Sequence, residues 1–365
     1  MRFYCLYIVQ DGLNGFHLSG NWGNEMKVKD LEELKHTIAS LVQQYTIDVV
    51  GIHNVFDSDI ADYLTTIRPV VKFSHSPVIV CPGKDKYWRY SKIPCSKPYG
   101  LHCFWHVYTQ GCSNRHPRRI WKDWHFVRKE LQRARNTYHK VIVMSEYNKQ
   151  RLLELGVSSG KVVVNPYFTK EVTVKPLRGN ISEITRLLFI GRIIEGKGVS
   201  EMVDAVQEVL LNHDDVLLDI IGDGLQFQAI KQKIERLGLS NKIKMHGWLS
   251  REKIDEFLAN CHLVIFPSTY PESFGIVGIE AMMYGKPVVA FDVGGVSTWL
   301  KHGETGVLIP PGDLKALGDA VEMLITDNAR YLAMSHMSRE LALAKYTAGS
   351  HMKALLQTFK EAATA

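Results

Sequence analysis

The stretch from Leu263 to Val289 constrains the fold more than any other part of the chain. Leu263-Val264-Ile265-Phe266 is an apolar run of strand length, Pro267 to Pro271 interrupt it, and Ser273 to Tyr284 follow as a helix opening beside Phe274-Gly275. Gly285-Lys286-Pro287 then turns the chain into a second apolar run beginning Val288-Val289. Strand, loop, helix and return strand form the repeating unit of a parallel α/β sheet, whose ligands sit at the strand exits. The first free N–H groups of such a helix suit a phosphate, and Gly275 allows the ligand close to the backbone. Glu272 in the loop and Glu280 on the helix can then grip hydroxyl-bearing groups on either side of that phosphate.

The rest of the chain repeats the alternation. Leu31, Leu34, Ile38, Leu41, Val42 and Tyr45 share one helical face, and Ile47 to His53 reads as a strand. Val70 to Phe73, Val141 to Met144 and Val162 to Val164 continue a first domain. The pattern breaks from Pro166 to about Thr185, with Pro176, Gly179 and Asn180. Leu187 to Ile190 opens a second domain with strands at Val216 to Ile221, Ile243 to Met245, Leu263 to Phe266 and Val288 to Phe291. This divides the chain into 1–170 and 171–339, with a final helix after about Ser335 crossing back so that 340–365 joins the first domain. At 365 residues, 45% hydrophobic and 22% charged, the chain has the size and composition of a soluble two-domain protein. No run of eighteen apolar residues predicts a spanning helix, and Met1 to Val9 reads as a first strand rather than a secretory signal, so the cytoplasm is the expected location.

The residues around Glu272 resemble a known family. Pro267-Ser268 leading to Glu272-Ser273-Phe274-Gly275, with Glu280 eight positions after Glu272, is similar to the Glu-x7-Glu signature of the retaining GT-B glycosyltransferases, specifically family 4 (glycosyl transferases group 1). The resemblance implies an α/β fold of GT-B architecture, with two Rossmann-like domains facing across a cleft. It also implies that Glu272 contacts the hydroxyls of the transferred sugar, while Ser273, Phe274, Gly275, Ile276 and Val277 bind the donor and Glu280 the ribose. Gly191-Arg192 and Glu195-Gly196-Lys197-Gly198 match the family's Gly-Arg and Lys-Gly element. Arg192 and Lys197 can hold a departing diphosphate and neutralise its charge in place of a metal ion, so no cofactor is expected beyond the nucleotide diphosphate sugar.

Gly222-Asp223-Gly224 lacks the third glycine of a dinucleotide fingerprint and reads as a tight turn beside the base. His246-Gly247, Asp292 and Gly294-Gly295 end further strands on the same side, and the glycine pair matches a family turn where small residues admit the diphosphate. Thr298 stands where relatives often have Glu. In the first domain His75 leaves a strand, and by resemblance it contacts the sugar or polarises the transition state. Ser145-Glu146 either approaches the cleft or caps a helix, and Asp57-Ser58-Asp59 reads as a helix cap rather than a metal triplet.

Two features stand outside that pattern. Cys81, Cys95, Cys103 and Cys112, with His102 and His106 among them, offer ligands for a structural zinc ion but contain no Cys-x2-Cys pair, so plain structural thiols remain the alternative; with Cys5 and Cys261 they are too unevenly placed for a disulfide scaffold. Residues 115–140 carry Arg115, Arg118, Arg119, Lys122, Arg128, Lys129, Arg133, Arg135 and Lys140 interleaved with Trp121, Trp124 and Phe126. That composition fits an anionic membrane surface or a lipid-linked acceptor, or a solvated helix with its tryptophans in the core; no nucleic-acid motif accompanies it. Relatives commonly place a Gly-Gly loop and a further strand and helix before the segment resembling Asp48 to Asn54. Here Gly12 to Gly23 is either a divergent form of that loop or the first domain is shortened at its amino end. The sequence therefore reads as a retaining, metal-independent transferase moving a sugar to a hydroxyl of a saccharide or lipid-linked acceptor. A nucleotide-sugar-binding protein without transfer, or a GT-B epimerase, are the alternatives.

Overall fold

A computed structural model describes residues 6–11, 15–20, 26–53, 58–173 and 184–364, with side chains from residue 27. Cys5, Asn54, Asp57, Pro176, Gly179 and Asn180 lie outside the described residues, as does much of Gly12 to Gly23.

The chain opens with an antiparallel meander of β1 (Leu6–Asp11), β2 (Gly15–Gly20) and β3 (Met26–Val28), which is not part of the parallel sheet that follows. Among the described residues this meander stands in place of the strand, Gly-Gly loop and helix that the family resemblance leads one to expect. Next come α1 (Leu31–Gln44), β4 (Val50–Ile52), α2 (Ser58–Ile67) and β5 (Val70–Ser74). A loosely structured segment holds β6 (Tyr87–Trp88), β7 (Ile93–Pro94) and α3 (His102–Gln110), before α4 (Pro117–Asn136), β8 (Lys140–Val143), α5 (Glu146–Glu154) and β9 (Val162–Val164). Strands β4-β5-β8-β9 pair in that order, all parallel. β5 is buried throughout, as a strand covered on both faces must be, and even its polar Lys72 and Ser74 lie inside.

The second domain runs β10 (Thr185–Ile190), α6 (Val199–Asn212), β11 (Val216–Ile221), α7 (Phe227–Arg236), β12 (Ile243–Gly247), α8 (Arg251–Asn260), β13 (Leu263–Phe266), α9 (Ile276–Met283), β14 (Val288–Phe291), α10 (Val296–Trp299), β15 (Gly306–Ile309) and α11 (Leu314–Thr326). Its six parallel strands lie in the order β12-β11-β10-β13-β14-β15. Strand order reverses between β10 and β13, and in an open parallel sheet such a switch point places a crevice at the carboxyl ends of the two strands.

The expected single terminal helix is two, α12 (Asn328–Lys345) and α13 (Ala348–Ala363), separated at Tyr346-Thr347, where the Thr347 side chain accepts from the Ser350 N–H. The second lies against the first sheet: Phe359 packs 6.3 Å from Phe73, and Glu361 pairs with Lys140 at 3.0 Å. Val71, Phe73, Ile142 and Met144 of the first sheet join the apolar core of the second domain.

Helix α4 divides the basic stretch in two. Arg133 is buried and bonds Glu130 at 2.8 Å, Asp62 at 2.6 Å and the Ser58 hydroxyl at 2.6 Å, while Arg135 donates to the Leu155 carbonyl. Ser58 thus opens α2 as a structural residue. Arg115, Arg118, Arg119, Lys122, Arg128 and Lys129 stay exposed, near the exposed Leu101, Trp105 and Trp121. Trp124 instead turns inward, its indole N–H bonding the Gly100 carbonyl.

Candidate active site

The loop leaving β13 and the loop leaving β10 meet at the crevice. Gly198 has φ of 70° and lies so close to the Pro267 carbonyl that a Cβ would collide with it, so the two loops are in backbone contact there. Thr269 N–H donates to the Gly196 carbonyl at 2.9 Å. This clamp places the Lys197 ammonium 2.5 Å from Glu272 Oε1. The same carboxylate accepts from Ser268 Oγ at 2.6 Å and from the Tyr270 hydroxyl at 3.2 Å. Glu272 is only 6% exposed, and Lys197 lies 5.0 Å over the Tyr270 ring. Burial first, then the neighbouring Glu272 charge, push the Tyr270 phenol well above its ordinary range, so it remains a neutral donor. Arg192 is exposed at the same mouth, with no ion pair among the described residues.

Helix α9 begins at Ile276, not Ser273. Gly275 has φ of 96°, a left-handed conformation that delays the helix start. Gly278 N–H already bonds the Gly275 carbonyl, leaving the first-turn amides of Ile276 and Val277 nearest the crevice. Phe274 is buried and packs edge-on to Tyr167 at 5.8 Å and to Tyr346 at 5.9 Å, so its ring belongs to the interdomain core rather than to a ligand surface. Its carbonyl accepts the Trp299 indole N–H, and Gly278 leaves room for the Trp299 ring. The Ser273 carbonyl accepts from Asn148 of the first domain at 3.3 Å.

Glu280, further along α9, pairs with Arg251 at the start of α8. Burial raises the Glu280 carboxyl above its usual range and Arg251 opposes the shift. The turn glycines contribute differently from expectation. Gly295 donates its N–H to the Glu272 carbonyl at 2.6 Å, and a Cβ there would meet Ser145. The small residues at Gly294-Gly295 therefore pack the turn against the Glu272 loop and the first domain. Gly222, with φ of 139°, packs against the Gly191 carbonyl and joins the exits of β11 and β10. Ser145 caps α5 by accepting from the Asn148 N–H and is fully buried.

Across the interface His75 uses both ring nitrogens, one 2.7 Å from the Tyr167 hydroxyl and the other 2.8 Å from His53. Burial lowers His75, and burial together with His75 and Lys72 lowers His53 to about 4, so both rings are neutral at pH 7. Tyr167 stacks on His75 and abuts Phe274, which links the histidine pair to the loop between β13 and α9. His75 reaches a ligand directly only by giving up one of these partners. His246 is committed to Asp219 at 2.7 Å within the second sheet.

Sequence reasoning missed Ser268, Tyr270, Arg251, His53 and Tyr167. Ser268 and Tyr270 sit inside the motif segment and were open to notice; Arg251 and Tyr167 reach the site only through space. The larger of the two cavities described, about 830 Å³, is lined by Glu146, Arg151, Pro166, Thr298, Lys301 and Tyr346 among others. It lies on the side of the interdomain connection and the α12–α13 junction, and contains neither Lys197 nor Glu280. The charged groups converge at the β10/β13 crevice instead, and that is the site with chemistry.

Residues 179–341, which hold this crevice, match the family described as glycosyl transferases group 1. Over 175 residues the chain is 33% identical to the alpha-D-kanosaminyltransferase of Streptomyces kanamyceticus, covering 48% of this chain and 45% of that one. It is 37% identical over 151 residues to the phosphatidyl-myo-inositol mannosyltransferase of Mycobacterium leprae, 40% of each. These sequence matches span less than half of each relative. The architecture is similar to that of Anabaena HepE in complex with UDP, with a TM-score of 0.68 over 90% of this chain and 82% of that one at 21% identity. Sucrose-phosphate synthase of Thermosynechococcus elongatus is similar at a TM-score of 0.67, 19% identity, and 91% and 77% coverage. The fold is GT-B.

Proposed function

We propose that this protein is a retaining glycosyltransferase that moves a sugar from a nucleotide diphosphate sugar to a hydroxyl of a saccharide or lipid-linked acceptor. The observation that carries the reading is the Lys197–Glu272 pair at the switch point of the second sheet, beside the exposed Arg192 and the first-turn amides of α9. The diphosphate would bind Arg192, Lys197 and the amides of Ile276 and Val277, which stabilise charge as it leaves without a metal ion. Glu272, fixed by three donors, would present its free lone pairs to the sugar hydroxyls. Glu280 would accept from the ribose, with Arg251 keeping its carboxylate ionised. The resemblance to retaining group 1 enzymes implies attack from the face the diphosphate leaves, its oxygen taking the acceptor's proton. HepE was crystallised with UDP, and a uridine donor is accordingly the first to test.

The acceptor side of the reading rests on the exposed patch of Leu101, Trp105 and Trp121 beside Arg118, Arg119 and Lys122. Aromatic rings flanked by cations suit the interface of an anionic membrane. No helix among the described residues is long and apolar enough to cross a membrane; the reading places this patch peripherally, at the cytoplasmic face.

Isothermal titration against UDP-, GDP- and ADP-sugars, with and without EDTA, tests the donor site. Micromolar binding of one donor that EDTA does not change is expected; binding that EDTA abolishes would overturn the metal-free site. Transfer to an acceptor panel then separates an enzyme from a protein that only binds the donor, and turnover of the donor with no acceptor would identify an epimerase.

A further inference from the structure

Four of the six cysteines lie between positions 81 and 112, on four separate pieces of backbone. Cys81 follows the turn after β5, Cys95 ends the β6–β7 hairpin, Cys103 sits in the first turn of α3, and Cys112 lies just past its end. Folding brings all four to the wall of one cavity of about 20 Å³, together with Lys86, Trp88 and His106. A single water needs about 10–15 Å³, so this space holds one small guest.

The lining is prepared for negative charge that four neutral thiols do not supply. Lys86 is 3% exposed, and among the described residues its ammonium meets the Lys97 carbonyl but no carboxylate. A buried cation without a counter-charge is costly. The Trp88 indole N–H is buried with no partner. Thiolates around a divalent cation would answer both at once, because four of them leave a net double negative charge.

The segment also needs a cross-link. Between β5 and α4 it holds two strands of two residues and one nine-residue helix. Lys84, Lys86 and Lys92 have φ of 71°, 54° and 55°, three of the four such non-glycine residues among those described. Each costs about 1–3 kcal/mol and persists only where surrounding structure enforces it.

We propose that Cys81, Cys95, Cys103 and Cys112 bind a structural zinc ion that pins this segment. Binding releases four thiol protons and forms four zinc–sulfur bonds, with Lys86 and the Trp88 N–H at the cavity wall to balance the resulting charge. Among the described residues no three His, Cys, Asp or Glu side chains already stand at metal-ligand spacing, so the ion draws the thiols inward from the cavity wall. The pinned segment bears on the donor site: Tyr87 of β6 places its hydroxyl 3.3 Å from Thr269 and its ring 6.5 Å from Tyr270, the residue that bonds Glu272.

The test is the metal content of the reduced full-length chain, grown with zinc and purified without a metal-affinity tag, followed by exchange with cobalt(II). Expected are one zinc per chain, four sulfur neighbours at about 2.3 Å by X-ray absorption, and a thiolate-to-cobalt charge-transfer band. Cys103→Ser should lose the ion, while Cys261→Ser, a buried cysteine of the second domain, should retain one equivalent. Substoichiometric zinc with no cobalt spectrum overturns the proposal, as does a disulfide joining any two of the four in freshly purified protein. Should Cys103→Ser fail to fold, the cobalt spectrum of the unaltered chain decides.

Discussion

Replacing Lys197 by methionine separates the two parts this lysine plays. Its ammonium is 2.5 Å from Glu272 Oε1, with side chains 16% and 8% exposed. Removing one partner of a buried pair costs about 3–5 kcal/mol because the other charge is left uncompensated. Here Ser268 and Tyr270 still donate to Glu272, which puts Lys197→Met at the low end, about 3 kcal/mol. Glu272→Gln keeps an oxygen for those hydroxyls but strands the lysine, at about 2–3 kcal/mol on the scale of a charged hydrogen bond. The double variant leaves no orphan charge, so the singles should overshoot it by about 2–3 kcal/mol, within the range of measured couplings. Urea unfolding of the four proteins, compared at equal slopes, measures this. Transfer should behave differently: losing a charge aimed at the leaving group costs about 100- to 1,000-fold in kcat, and the double variant should not recover it. Stabilities that add to within about 0.5 kcal/mol would show that the pair does not form. Recovered turnover in the double variant would mean that Lys197 only neutralises Glu272.

Glu280→Ala should weaken UDP binding by about 10- to 150-fold, the worth of a charge-assisted hydrogen bond of about 1.5–3 kcal/mol; unchanged affinity in a titration would remove Glu280 from the site. Gly278→Ala should destabilise the chain, since a Cβ overlaps the fully buried Trp299 ring. Overpacking of about 1–3 kcal/mol outweighs the gain of about 1 kcal/mol in helix propensity, and an unaltered urea midpoint would contradict that packing. The depressed histidines set a pH window. Because folding lowers the pKa of His53 from 6.5 to about 4, its contribution is complete above pH 6.5 and is lost as pH falls towards 4, and the lowered His75 acts in the same direction. His53→Gln should therefore flatten the loss of stability over that window, and parallel curves for the two proteins would refute it.

The buried strands were legible because burial on both faces leaves a mostly apolar run, unbroken in Leu263 to Phe266 and Val288 to Phe291 and interrupted only by Asp219 in Val216 to Ile221. Lys197 and Glu272 were legible for a related reason, since each follows such a run at a strand exit. β15 was not: Gly306-Val307-Leu308-Ile309 is short and has no periodicity of its own, and its place is set by pairing with β14. The start of α9 was placed early because the left-handed turn at Gly275 is a backbone event, invisible in a pattern of apolar residues. Through-space partners were out of reach. Arg251 meets Glu280 across twenty-nine positions and Tyr167 meets His75 across ninety-two. The basic stretch misled in its second half, because Glu130 and Asp62 turn Arg133 into a core residue.

A structure of the chain with UDP tests the central claim most directly. The account predicts the diphosphate within hydrogen-bonding distance of Arg192, Lys197 and the amides of Ile276 and Val277, with the ribose hydroxyls on Glu280. A nucleotide seated instead in the cavity lined by Glu146, Arg151 and Lys301 would contradict it.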